Sequence, residues 1–161
     1  MTAPIDWDAA VKVGVKAAPS GPRISPIDAA LAVSDLREFS RSAELTVREV
    51  TGLGDHLPVL NAVVVDRPGW IRATAEGMAV LAEPLTARLT EQLQSKQGKH
   101  ARHGTPRAVP GMTTVAAAPI GAVLGYLSGK VLGQFDPFVA DPAAPQYPGR
   151  LLLVAPNVVT V

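Results

Sequence analysis

The sequence predicts a mainly α-helical fold with a small β-sheet, an α+β arrangement. Three observations predict it. Apolar residues recur at spacings of three and four over several long segments. Two short aliphatic runs, Asn61–Asp66 and Arg150–Ala155, are bounded by turn formers and read as buried strands. Gly and Pro number 14 and 15 in 161 residues, so the helical patterns are repeatedly interrupted.

The first helix is expected over Asp6–Ala18, where Trp7, Ala10, Val11, Gly14, Val15 and Ala18 share a stripe. Pro19-Ser20-Gly21-Pro22 ends it. The second has the clearest start signal: Ser25 caps, Pro26 suits the first helical position, and Asp28 completes a capping box in place of Glu or Gln. Its stripe runs Ala29, Ala32, Val33, Leu36, Phe39, Ala43, Val47, Val50. Glu44 and Arg48 form an i,i+4 pair, and Thr51-Gly52 stops the helix. After the first strand, Arg67-Pro68-Gly69 reads as a turn. A helix follows from Trp70 through Ala73, Met78, Leu81, Leu85, Leu89 and Leu93, with a kink or break expected at Pro84.

Val115–Leu132 is the most apolar stretch, with Gly121, Gly125, Gly129 and Gly133 at four-residue intervals and Ile120, Leu124, Leu127, Val131 on another face. It is read as a central helix buried on several sides, whose glycine face admits a second backbone. A membrane span over 115–132 is the weaker alternative, opposed by Pro119 and Lys130. The second strand closes at Pro156-Asn157, and Val158–Val161 ends the chain on apolar residues, as if a longer fold were cut. Residues 1–161 are therefore expected to be one incomplete domain with apolar surface exposed at Leu151–Val154.

Composition excludes several functions. With 15 basic and 14 acidic side chains the net charge is +1, which leaves no electrostatic footprint for nucleic acid. The basic segment 96–111 lacks interleaved aromatics and reads as a solvated loop. Cysteine is absent, which excludes disulfides, thiolate nucleophiles and Cys-metal sites. The start of the sequence has no basic, apolar signal pattern, so a cytoplasmic location is expected.

No local motif assembles a catalytic site. His56 stands alone, and His100 and His103 form an H-x-x-H among glycines that reads as a free loop pair. The candidate cleft-lining residues are polar groups where strands and helices end: Asp66, Arg67, Gln134, Asp136 and Asn157. Capping and turn chemistry accounts for them equally well.

Four segments carry a resemblance: Ile5-Asp6-Trp7, Val64–Ile71, Gly125–Pro137 and Leu151–Asn157, in this order. Together they resemble the amino-terminal part of a zincin-like metallohydrolase family of high-GC bacteria, some members of which are labelled as associated with deazaflavin-coenzyme biosynthesis. The resemblance implies a zincin-like fold and zinc-dependent hydrolysis, with peptides as substrate class. In that family an H-E-x-x-H helix follows the strand resembling Leu151–Ala155, its two histidines holding zinc and its glutamate activating water. Val161 precedes any such helix, so no metal ligand or general base is assigned here, and no zinc is expected on this chain alone. The chain would then supply packing and one wall of a cleft, with Leu151–Ala155 offering a sheet edge to a peptide. The competing expectation is a non-catalytic helical module that self-associates through its glycine face.

Overall fold

The computed structural model describes residues 5–54, 56–97 and 112–159. The elements are α1 (Trp7–Ala17), α2 (Pro26–Thr51), β1 (Val63–Val65), α3 (Arg67–Gln97), α4 (Met112–Ser128), β2 (Gly133–Asp136), β3 (Arg150–Val154) and α5 (Ala155–Val158). Most of the basic segment, with His100 and His103, lies outside the described residues, as do the side chains of Leu85, Leu89 and Leu93.

Local chemistry sets the helix ends. Asp6 caps α1 by accepting from the Ala9 N–H at 2.9 Å. Ser25 caps α2, taking the Asp28 N–H at 3.1 Å and donating its hydroxyl to the Asp28 carboxylate at 2.8 Å. Gly52 closes α2 in the left-handed region at φ 67°. Arg48 pairs with Glu44 as expected, and it also donates to the carbonyls of Gly54, Leu57 and Pro58, pinning the loop after the helix.

The expected turn at Arg67-Pro68-Gly69 is instead the first turn of α3. Asp66 caps it, accepting from the Gly69 N–H at 2.6 Å, and Pro68 loses nothing because an amide in the first turn has no intrahelical acceptor. The helix then runs through Pro84 without the expected break. Its first turns reach the core: Trp70, Ile71, Thr74 and Ala75 are buried, whereas Met78 and Leu81 of the expected stripe are exposed.

The three strands form one sheet in the order β1-β3-β2. β1 lies parallel to β3, with Val63 beside Leu152 and Val65 beside Val154, and β2 lies antiparallel, with Asp136 beside Arg150. The β2 strand was not expected; four residues containing Gln134 and Asp136 carry too little apolar alternation to register. Nor is β3 an edge. It is the central strand, and Leu152 and Val154 are fully covered, so the apolar exposure expected along it is confined to its other side.

One sheet face carries Leu152 and Val154 into a core with Trp70, Ile71 and Leu124, joined by Trp7, Val11 and Val15 of α1. Here α1 crosses α4 at backbone contact. A Cβ on Gly121 would lie 2.4 Å from the Ala10 carbonyl oxygen, and one on Gly125 would lie 2.7 Å from that of Gly14. The glycine face therefore does what its spacing implies, but it is occupied by α1 of the same chain. Gly129 sits in the turn after α4 against Pro19, and Gly133 belongs to β2. Burial on several sides is not reached, because Val123 and Tyr126 face outward. Among the described residues no helix is long and apolar enough to cross a membrane.

Helix propensity alone would have Gly125→Ala stabilise the protein by up to ~1 kcal/mol. The close crossing reverses that sign. Denaturant unfolding of Gly125→Ala should show a loss of about 1–3 kcal/mol, and an unchanged or raised midpoint would disprove backbone contact between the two helices.

Candidate functional site

The sequence-derived candidates fall at two places on the sheet. At the end where parallel β1 and β3 both finish, Asp66, Arg67 and Asn157 come together. Arg67 Nε donates to Asn157 Oδ1 at 2.9 Å, and its Nη1 donates to the carbonyls of Pro19, at 3.0 Å, and Ser20. Asn157 is only 5% exposed. Its Nδ2 donates to the carbonyls of Ser128 at 2.8 Å and Val131 at 2.7 Å. Those carbonyls lie at and just beyond the end of α4, where helical acceptors run out of donors. One side chain thus joins α5, α3 and the exit of α4. Asp66 also borders a small apolar cavity of about 230 Å³ between α2, β1 and α5.

Asp136 lies at the opposite end, and Gln134 lies between. Gln134 turns toward α3, its Oε1 accepting from Trp70 Nε1 at 3.0 Å and from the Thr74 hydroxyl at 3.4 Å. Asp136 is 2% exposed. It accepts from the Phe138 N–H at 3.1 Å and from Arg150 Nη2 at 3.5 Å. The same Nη2 reaches Glu76 at 2.7 Å. Gly77 makes room for this carboxylate, since a Cβ there would lie 3.0 Å from Asp136 Oδ2. Each of the five candidates is thus engaged by the fold itself, and no nucleophile–base pair arises among them.

The second sheet face differs in kind. Phe135, Leu151 and Leu153 look across to Phe39, Ala43 and Val47 of α2, and between the two walls lies an open apolar groove of about 890 Å³. Sequence reading missed it because α2's apolar positions read as core. The helix has only Leu36 buried. Arg150 and Glu76 were also missed; they stand 74 residues apart in sequence, and it takes the packing of α3 against β3 to bring them together.

Among the described residues, no group of three or more His, Asp or Glu lies close enough to hold a metal ion. The described side chains therefore do not fit a zinc site, and no step is derived through one.

Residues 5–161 match the family model of the zincin-like metallopeptidases. A search of curated proteins finds no match. Among solved structures, a candidate hydrolase with a novel fold from Chloroflexus aurantiacus is similar, with a TM-score of 0.57 and 22% sequence identity. The likeness covers 97% of this chain and 44% of that one, so this chain spans less than half the length of that structure. At this identity the likeness speaks for the fold.

Replacing Asn157 by Ala removes the donors from two buried carbonyls and the acceptor from Arg67. Thermal or denaturant unfolding should register a loss of about 2–4 kcal/mol. A change within about 0.5 kcal/mol, the range of an ordinary surface substitution, would show that Asn157 does not join these elements.

Proposed function

Since the chain belongs to the zincin-like metallopeptidase family, we propose that it forms the scaffold and one cleft wall of a zinc-dependent peptide hydrolase whose ion-binding residues lie outside those described. The single observation carrying this reading is the family match over residues 5–161. One further fact supports it: the similar solved chain is more than twice as long as the part matched. Bound zinc would polarise the scissile carbonyl and lower the pKa of a bound water. This chain's own contribution is shape.

A peptide joining the sheet by strand addition has no access to β3, which is paired on both sides. The edge strands are β1 and β2, and β2 puts Phe135 into the groove lining, so Gly133–Asp136 takes the role first given to Leu151–Ala155. The cytoplasm remains the proposed location, and with no cysteine the chain has no thiol that either redox environment would alter.

Metal analysis of the purified 161-residue chain after dialysis against zinc should find far less than one equivalent, with no cleavage of a quenched peptide library. A longer polypeptide that adds the family's H-E-x-x-H segment should bind one zinc and cleave, and a chelator should abolish that activity. Stoichiometric zinc on the short chain, or a zinc-loaded long form inert toward every peptide, would overturn the reading.

A further inference from the structure

We propose that α2 is a rocker. It pivots on Leu36, closing the groove above the outer sheet face as its amino-terminal half lifts away from β1 and α5. Neither zinc nor hydrolysis is needed for this motion.

The seating of the helix comes first. Leu36, toward the middle of the 26-residue α2, is its one buried residue. On one side of it the half-buried Ala29, Ala32 and Val33 border the cavity of about 230 Å³ shared with β1 and α5. On the other side Phe39, Ala43 and Val47 border the groove of about 890 Å³. The helix therefore rests on one buried side chain with open space under both arms. Close packing along a whole face resists tilting, and α2 lacks it.

The two arms are unequal. The amino-terminal arm carries two alanines and a valine toward its cavity. The carboxyl-terminal arm carries Phe39, 68% exposed, and Val47, and these face the exposed Phe135 and Leu151 across the groove. Tipping that arm down takes four large apolar side chains out of water and uncovers three small ones, so apolar burial favours the closed groove. Ordering the connections opposes it.

Both connections have room to flex. Arg67 holds the carbonyls of Pro19 and Ser20, and Ser25 caps α2. Residues 21–24 lie between those anchors, exposed and outside any helix or strand. At the far end Arg48 carries Gly54, Leu57 and Pro58 along with the helix, while Ala62 is buried in the body. Residues 59–61 are thus the second flexure. Hinges are a few connecting residues of this kind.

Because the sequence contains no cysteine, spin-label pairs can be introduced without background. Glu49→Cys with Tyr126→Cys reports the carboxyl-terminal arm against α4, and Leu31→Cys with Tyr126→Cys reports the amino-terminal arm; all three positions are exposed. Double electron–electron resonance on the 161-residue chain should give two distances for each pair, differing by about 2 Å or more, the scale of a helix shift. Ala32→Phe, which wedges the small cavity, should raise the share of the shorter Glu49–Tyr126 distance and of the longer Leu31–Tyr126 distance together. Val47→Asn, at an exposed position, should move both populations the opposite way with unchanged circular dichroism. Single distances that neither substitution moves, two arms that move in the same sense, or distributions that change with protein concentration would overturn the proposal, the last by assigning the face to a second copy.

Discussion

Backbone contact between α1 and α4 is the constraint on which the rest of this small structure depends. Gly121 and Gly125 let the Ala10 and Gly14 carbonyls approach where any side chain would intrude. Two glycines in a helix interior cost up to about 2 kcal/mol relative to alanine. The crossing they allow brings α1 down onto the sheet layer, where Ile71 and Leu124 are enclosed. Each fully buried aliphatic side chain of this size contributes about 1.5–3 kcal/mol, so closing the core more than offsets the glycine penalty. With seven aromatic residues in the whole chain, volume is scarce, and close approach replaces bulk.

Once the helices are that close, their ends become the difficulty. The last carbonyls of α4 point into a region that water does not freely enter, and Asn157 answers them from a helix of four residues. Its amide oxygen is in turn committed to Arg67, whose Nη1 holds the Pro19 and Ser20 carbonyls. The chain therefore closes a circuit from the α1–α2 connection through α3 and α5 back to α4. Polar residues at strand ends often mark ligand sites. Here the same placement is explained by backbone groups that the tight crossing leaves unpaired.

Much of this was legible in the sequence, for identifiable reasons. Ser25-Pro26-x-Asp28 and Gly52 bound α2 through chemistry local to a few residues, and the four-residue glycine spacing announced a close packing face. The two aliphatic strands were found because short aliphatic runs between turn formers have few other uses. What failed was non-local. Arg67-Pro68-Gly69 looks like a turn until Asp66 is seen to cap a helix with it. β2 exists because β3 has a free side to pair with, not because Gln134 or Asp136 favours a strand. The apolar stripe of α2 predicts burial, and no periodicity tells whether the facing layer belongs to the same chain.

That last failure separates the two sheet faces by kind of chemistry. On the inner face every candidate polar group is consumed: Gln134 by Trp70 and Thr74, Asp136 by Arg150 and Phe138. Such saturation makes a rigid wall and leaves little for binding. On the outer face the balance is reversed, with large apolar side chains such as Phe135 and Leu151 uncovered. A fold that satisfies one side so fully while leaving the other dry and open has a direction to it. Among the described residues, apolar area stays uncovered on the α2 side of the sheet, while the polar groups of the inner face are spent on one another.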